Sequence, residues 1–236
     1  RWRPLSSWAG KLPRPRSVYV LMEDPEKSSL LVAGTEFVVF FTIDGGKKLT
    51  KLDGGLPTIA VRDIAIQKRE HDLVIATFGR GFYVLDDYRS LRLISPEVLA
   101  QHAMFPVRQA WMFVPSLPYG LRGKGFQGES FYTAPNPPFG AVFTYYLKDA
   151  LQTRRQARQA QEKKLVKEGG AITYPPWDSL RAEDREDVPA VVLTVTDDAG
   201  NVVRRLTGPT SAGVHRSGWD LAYPPAAPSS AEPFAF

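Results

Sequence analysis

Three carboxylate side chains lie near the ends of predicted strands, where they could take part in catalysis. They are Glu36 in GTEF, and Asp86 and Asp87 in VLDDY. A glycosidase needs two carboxyl groups about 5 to 9.5 Å apart across a cleft. Neighbouring residues of a strand point to opposite faces, so Asp86 and Asp87 cannot face one cleft together. We therefore predict no catalytic residue, and we expect Glu36, Arg80 and Asp87 to contact a ligand.

The other reactive residue types form no recognisable site in the sequence. The three histidines, His71, His102 and His215, occur in a turn, a connector and a strand edge, without metal-binding spacing. The absence of cysteine excludes disulfides, thiolate metal sites and cysteine nucleophiles. No phosphate-binding loop or nucleophile elbow occurs. We predict neither a metal nor a cofactor.

The composition is that of an ordinary globular protein, with 43% hydrophobic and 23% charged residues and a net charge of +5. The basic residues are not interleaved with an aromatic stacking platform, so we expect no nucleic-acid partner. No apolar run approaches the roughly 20 residues that span a bilayer. The sequence starts without Met and stops in a Pro/Ala/Ser-rich segment, so we expect both ends to be cut points in a longer chain.

An internal repeat organises the first part of the chain. The stretch LVAGTEFVVFFTID, from Leu31 to Asp44, aligns with LVIATFGRGFYVLD, from Leu73 to Asp86. Each residue of the second stretch follows its counterpart by the same 42 residues. A period of roughly 40–45 residues is the spacing of a four-stranded β-propeller blade.

Each repeat predicts four short strands. SVYVLMED, SLLVAGTE, VVFFTID and LTKLD form the first set, and VRDIAIQ, DLVIATF, GFYVLDD and LRLIS form the second. All are rich in β-branched, aromatic or leucine residues and are bounded by turn residues. No helix is expected in this part. Two such sheets cannot close a ring, so further blades must come from elsewhere.

The segment TIDGGKKL resembles the Asp-box of sialidase-type repeat propellers. Thr42, Asp44 and Gly46 match that motif, whereas Leu49 stands where the family usually has Trp. The wider repeats resemble the end of the propeller in bacterial sortilin-like proteins with BNR repeats, often labelled glycosyl hydrolases. The resemblance implies remaining blades upstream in the same chain and a location outside the cytoplasm. In such propellers, the turns that hold Glu36 and Arg80 can face the central funnel.

The Asp-box residues are expected to shape a corner and not to react. A carboxylate at Asp44 can accept backbone N–H groups in a tight loop, and glycine supplies positive φ. The hydroxyl of Thr42 can join that network, and Leu49 can pack the turn against the blade. We predict a structural role for Thr42, Asp44, Gly46 and Leu49.

The second half begins with an irregular connector over residues 96–136, which is expected to pack through Phe105, Trp111 and Phe113. A helix is predicted over about 149–169, because good helix formers end at Gly169 and Gly170. Its basic side chains could dock an acidic partner or could be a solvated helix face. These side chains are Arg154, Arg155, Arg158, Lys163 and Lys164. The acidic stretch that follows is predicted to be a loop.

A pattern typical of β-strands returns near the C-terminus. AVVLTVTDDAGNVVRRL has alternating apolar residues around a Gly-containing turn, which is the pattern of a β-hairpin. Together with HRSGWDLAY it resembles an Ig-like module of the FlgD type. The positions that match are Asp198, Gly200, Gly213, His215, Trp219 and Asp220. The module would cover 137–236, carry the helix as an insertion, and be incomplete, since such a sandwich usually has about seven strands.

The predicted architecture is all-β. Residues 1–95 form the last two blades of a propeller, and an Ig-like sandwich module follows the connector. The leading functional hypothesis is a non-catalytic binding or scaffold protein outside the cytoplasm, with a protein or glycan partner. One alternative is a glycoside hydrolase with most active-site residues outside this chain, and another is a structural subunit of a large surface assembly. Fold resemblance alone does not decide between them.

Overall fold

The structure, a computed structural model, describes residues 17–114, 134 and 136–224. It consists of two compact units that divide after Leu99, beyond the predicted domain end at residue 95. Both units consist mainly of small antiparallel sheets with few helices, so the all-β prediction is confirmed at that level. In the described ranges, no helix is long and apolar enough to cross a membrane. Residues 115–133 of the predicted connector, and both chain ends, lie outside the described residues.

The first sheet is a four-stranded antiparallel meander. Its strands pair in chain order, and they are β1 (Val18–Glu23), β2 (Leu31–Thr35), β3 (Val39–Thr42) and β4 (Thr50–Lys51). The turn between β1 and β2 closes through the backbone bond from the N–H of Asp24 to the carbonyl of Leu30. The predicted strands of the first repeat are therefore present.

The second sheet has three strands, again in chain order. They are β5 (Val61–Gln67), β6 (Asp72–Thr77) and β7 (Phe82–Leu85). The prediction of a fourth strand at LRLIS is wrong, because this segment forms the short helix α1 (Arg89–Leu93), followed by α2 (Pro96–Leu99). The helix lets Arg92 donate to the hydroxyl of Tyr88 over 3.0 Å. The same two residues on a strand would be about 13 Å apart.

The two sheets of the first unit pack face to face, with β5 lying against β1 and β2. Gly34 lies at the closest approach. A Cβ added there would be 2.6 Å from both Val20 Cγ1 and Val61 Cγ1. The core between the sheets is formed by buried side chains from both repeats, namely Leu30, Val32, Val39, Val61, Ile64, Leu73, Ile75 and Tyr88.

The sequence repeat is visible as a repeated pairing pattern. Val18 pairs with Thr35 across a register shift in the first sheet, and Val61 pairs with Thr77 across the same shift in the second. The hydroxyls of Thr35 and Thr77 close the following turns by donating to backbone carbonyls, over 2.7 and 2.8 Å. The two sheets are thus structural copies up to their third strands.

The second unit contains a three-stranded sheet and a hairpin. The sheet has the order β12-β9-β8. It is formed by β8 (Ala103–Met104), β9 (Ala141–Leu147) and β12 (Gly213–Trp219), and β10 (Val191–Thr196) pairs with β11 (Val202–Gly208). The strands predicted from alternation are present. Asp197, one residue before the predicted Asp198, closes the hairpin turn through its carboxylate and the N–H of Asn201.

Two expectations for the second half need correction. The acidic stretch predicted to be a loop contains the helix α4 (Trp177–Asp184), which lies beside α3 (Arg154–Lys167). The helix α3 lies within the predicted 149–169 segment and begins at a capping box formed by Thr153 and Gln156. In the connector, Phe105 is buried as expected, and the half-exposed Phe113 ring packs edge-on against Phe139 with centroids 4.9 Å apart, but Trp111 is mainly exposed.

We predict that Gly34→Ala destabilises the first unit by about 1–2 kcal/mol. The new methyl group overlaps two valines in the sheet interface. The cost of this overpacking outweighs the stabilisation that alanine brings by lowering the conformational entropy of the unfolded chain. Urea unfolding followed by circular dichroism measures the loss. Ala76→Val is the matched control, because Ala76 occupies the equivalent position on the second sheet, whose outward face is open. Equal effects of the two changes would contradict the assigned interface.

Candidate functional site

The turn between β3 and β4, where the Asp-box was predicted, is held mainly by local hydrogen bonds. The Thr42 hydroxyl donates to Asp44 Oδ1 over 2.7 Å, and the N–H groups of Lys47 and Lys48 donate to the same oxygen over 2.9 and 3.0 Å. Burial alone would raise the pKa of Asp44, but these hydrogen bonds outweigh it and hold the pKa below the ordinary value. The carboxylate is therefore an anchor for the turn.

Glycine geometry and packing complete this corner. Gly45 and Gly46 have φ angles of 69° and 96°, in the left-handed region that other residues rarely adopt. The N–H of Gly46 donates to the Thr42 hydroxyl over 3.0 Å. The N–H of Gly45 donates to the carbonyl of Ser29 and so ties the corner to the β1–β2 turn. Leu49 is half-buried at its end.

The structure places Glu36 and Asp87 at opposite ends of the strands. Glu36 lies in the β2–β3 turn and Arg80 lies in the β6–β7 turn, at one end of the two sheets. Asp87 follows β7, at the other end, where its N–H donates to Asp72 Oδ1 over 2.9 Å. A four-residue strand spans roughly 13 Å. The three predicted ligand contacts therefore do not form one site.

Asp87 has a local structural task. Its backbone φ is 43°, and its carboxylate accepts two hydrogen bonds from the Arg89 guanidinium, over 2.6 and 2.7 Å. This fork closes the turn between β7 and α1. The hydrogen bond to Asp87 raises the pKa of Arg89, so the guanidinium stays charged in this fork.

A buried polar cluster that the sequence analysis missed joins the two repeats. Its centre is Asp24, whose side chain is 1% exposed. Asp24 accepts a hydrogen bond from the Tyr88 hydroxyl over 2.6 Å and from Arg92 Nε over 2.9 Å. The N–H groups of Glu26 and Lys27 also donate to its carboxylate, which closes the β1–β2 turn. We call Asp24, Tyr88 and Arg92 the interrepeat lock.

Partly exposed residues surround the interrepeat lock. Arg92 Nη1 lies 2.8 Å from Glu26 Oε2 and 3.2 Å from His71 Nδ1. Lys27 Nζ donates to the carbonyl of Arg92 over 2.6 Å. Three segments distant in sequence, the β1–β2 turn, the β5–β6 turn and α1, are thereby held together.

The ionisation states in the lock favour a structural role. Burial tends to raise the pKa of Asp24, but hydrogen bonds from Tyr88, two backbone N–H groups and Arg92 lower it below the ordinary value. Burial, and then the hydrogen bond to Asp24, raise the pKa of Tyr88 to about 12. The carboxylate stays charged and the phenol stays neutral near pH 7, so neither is poised to exchange a proton.

The opposite end of the sheets displays an arginine between two aromatic rings. The Arg62 guanidinium carbon lies 4.4 Å from the centre of the Tyr19 ring and 5.0 Å from that of Phe78. Tyr19 is 41% exposed and Phe78 is 66% exposed. This stacking holds a solvent-accessible cation in place near the turns that contain Glu36 and Arg80. The resulting surface is suited to an anionic or polar ligand.

In the second unit, one basic side chain of the predicted docking helix forms hydrogen bonds within the protein. Arg158 donates to both carboxylate oxygens of Glu183 on α4, over 2.7 and 2.8 Å, and to Glu162 over 2.7 Å. The hydrogen bond to Glu183 raises the pKa of Arg158 further. Arg154, Arg155, Lys163 and Lys164 are exposed. Only these four of the five predicted cations face solvent.

Among the residues that the structure describes, no group of three His, Asp or Glu side chains is arranged to hold a metal ion. Comparison with known proteins gives no match to a family model, a curated protein or a solved structure. The resemblance to sortilin-like propellers and to the FlgD-type module therefore stays a prediction from the sequence motifs.

We predict that Asp24→Asn lowers the stability of the first unit by about 3 kcal/mol at pH 7, because Arg92 is left without its buried counter-charge. The pKa of Asp24 in the folded state is lower than in the unfolded state, where it is near 4. The contribution of Asp24 to the free energy of unfolding is therefore present above about pH 4, and it is lost as the pH falls through the folded-state pKa. Urea unfolding at pH 7 and pH 3 should show a smaller pH effect in Asp24→Asn than in the natural sequence. Asp53→Asn, at an exposed carboxylate, is the control and should leave the pH effect unchanged.

We predict that Arg158→Met loosens the α3–α4 pair. Neither helix has a buried residue, so the Arg158 hydrogen bonds to α4 are a main attachment. Amide hydrogen exchange over 154–167 should become faster in this variant. Lys163→Met, an exposed lysine of the same helix, should leave exchange almost unchanged, and equal acceleration by both would show that the ion pair does not hold the helices.

Proposed function

We propose that this chain belongs to a non-catalytic binding or scaffold protein that acts outside the cytoplasm and recognises a protein or a glycan. The sheets of the first unit would be the closing blades of a sortilin-like propeller, and the second unit would be an Ig-like module behind it. The location outside the cytoplasm rests on the family resemblance. The repeated strand order and the face-to-face packing of the two sheets support the interpretation as propeller blades.

The proposal rests on a difference between the two ends of the sheets in how their polar side chains are used. At one end, Asp24, Asp44 and Asp87 are hydrogen-bonded within the fold. At the other end, Arg62 stands between exposed aromatic rings, beside turns that carry Arg80 and Glu36. A rigid surface with a fixed cation and aromatic faces binds ligands without needing a reactive group.

The hydrolase alternative has less support. The sequence suggested Glu36 and Asp87 as carboxylates from different turns. They lie at opposite ends of the strands and cannot flank one glycosidic bond. A hydrolase would therefore need its carboxyl pair from residues that the structure does not describe or from further blades.

A second candidate function, a subunit of a surface assembly, is favoured by the α3–α4 pair. No residue of either helix is buried, and a 14-residue helix is only marginally stable in water without packing. Its exposed cations, Arg155, Lys163 and Lys164 among them, would contact an acidic neighbour. Replacing these three by glutamate would abolish such a contact without affecting ligand binding at the first unit.

We predict that the chain binds members of a glycan and peptide panel and hydrolyses none of them. Arg62→Met and Arg80→Ala should each weaken binding at least tenfold, because the cations at the turn end are lost. Lys68→Ala, in the exposed β5–β6 turn at the other end, is the matched control and should bind normally. Surface plasmon resonance and a sugar-release assay provide the measurements.

Two results would contradict the proposal. Turnover that disappears in Glu36→Gln or Asp87→Asn would establish a hydrolase. Binding that survives both arginine changes would place recognition elsewhere on the molecule.

A further inference from the structure

The turn that joins α3 to α4 displays several large apolar side chains to solvent. Tyr174 and Trp177 are each 71% exposed, and Leu165, Val166 and Ile172 are between 38% and 56% exposed. We call these five residues the apolar tip. Isolated apolar side chains are normal on a protein surface, but a group of this size within one turn indicates a site of interaction with a protein or a membrane.

Local structure fixes the shape of the apolar tip. Gly169 has a φ of 76°, and the N–H of Gly170 donates to the carbonyl of Leu165 over 2.8 Å, which closes the end of α3. Before α4 begins, two prolines restrict the backbone, and the Tyr174 ring lies edge-on to Trp177 with centroids 6.4 Å apart. Because the turn is already ordered, it loses little conformational entropy when it binds a partner.

The exposure of the apolar tip does not fit a small-molecule site. Such a site is a concave cleft that buries most of its ligand. The rings of Tyr174 and Trp177 instead project from the surface, since most of each side chain is in contact with solvent. The partner must therefore be broad enough to surround a projection, as a bilayer or another protein is.

Basic side chains surround the apolar tip. The exposed lysines near the end of α3 are Lys163, Lys164 and Lys167. Spacing of three and four residues places Lys163 and Lys167 on the helix face of Val166. Asp178 lies 3.9 Å from Arg181, which offsets its charge. From Lys163 to Arg181 the chain has four basic and two acidic side chains, so the surroundings of the tip carry net positive charge.

This combination of side chains matches the interfacial region of a bilayer with anionic headgroups. Trp and Tyr rings favour that region because each has a polar edge on an apolar body. Neighbouring lysines keep their ammonium groups among the headgroups while their stems lie along apolar surface. A protein partner would need a groove shaped for both rings and carboxylates placed for the lysines, whereas a fluid bilayer accommodates both without a matched shape.

We propose that the apolar tip inserts into the interfacial region of a lipid bilayer that carries anionic phospholipid headgroups. The rings of Tyr174 and Trp177 lie at the depth of the headgroups, Val166 and Ile172 reach the acyl boundary, and the surrounding lysines contact lipid phosphates. A few apolar side chains with a basic flank give reversible attachment and not permanent insertion. This attachment goes beyond the proposed function and is independent of the ligand that binds at the turn end of the first unit.

Co-sedimentation of the full chain with sucrose-loaded vesicles tests the proposal. The vesicles contain phosphatidylcholine with about one third phosphatidylglycerol, which supplies the anionic charge. We expect the chain to bind them, and Tyr174→Ser together with Trp177→Ser to weaken binding by roughly tenfold or more. Trp111→Ser is the matched control, because Trp111 is another exposed tryptophan of the second unit. These three side chains are mainly exposed, so the variants should fold, which circular dichroism verifies.

The lysines have a separate test. Each lysine near an anionic membrane strengthens binding by about fivefold, so Lys163→Gln with Lys167→Gln should weaken it by roughly 25-fold. Lys48→Gln with Lys68→Gln removes the same charge from exposed lysines of the first unit and should have little effect. Ligands of the turn end should bind all of these variants normally, so failure of the membrane proposal is distinguishable from failure of the proposed function.

Three results would overturn the proposal. The first is the absence of binding to the anionic vesicles. The second is binding that the two serine changes leave intact, or that the control lysine pair weakens as much as the tip pair does. The third is a dimer in analytical ultracentrifugation without lipid that Tyr174→Ser with Trp177→Ser dissociates, since the tip would then be an interface between two copies of the chain.

Discussion

Apolar residues on both sides of each sheet constrain the whole first unit. A sheet of three or four short strands is marginal unless its apolar face is covered. The first sheet covers one face of the second, and Gly34 sets how closely they approach. The side of the second sheet that carries Phe82 and Val84 has no such cover among the described residues, and these side chains are 76% and 53% exposed. The packing of the two sheets and the core between them follow from this single requirement.

The interrepeat lock depends on that packing. Burying a carboxylate and a guanidinium costs free energy unless their hydrogen bonds are well made. Asp24 meets this condition because backbone N–H groups of its own turn and two side chains of the second repeat converge on it. Because the cost of desolvation offsets much of the attraction between the charges, we expect this cluster to align the repeats more than it raises the net stability. Its residues stay in fixed charge states, which separates it from a catalytic site.

The polar chemistry of the molecule is therefore concentrated at corners. The Asp44 and Asp87 carboxylates organise turns, and Arg158 links two exposed helices. Groups of these types attract attention as catalytic or docking candidates, but a carboxylate that accepts several donors loses nucleophilicity and basicity. The proposed function assigns recognition to the turn end, where the Arg62 guanidinium lies over the Tyr19 and Phe78 rings.

Local signals in the sequence determined most of the strands, the 42-residue repeat, the tight corner at Thr42 and Asp44 and the hairpin that starts at β10, because alternation and turn residues act within a few positions. The helix α1, the lock and the pairing of Arg158 were not predictable in this way. Asp24 and Tyr88 are 64 residues apart in the chain, and Arg158 and Glu183 are 25 apart. The segment LRLIS has enough apolar residues for a strand, but the structure has a helix, which brings Tyr88 and Arg92 together around the buried carboxylate of Asp24. Tertiary structure alone also decided that Glu36 and Asp87 lie at opposite ends of the strands, because their distance depends on strand direction and not on residue type.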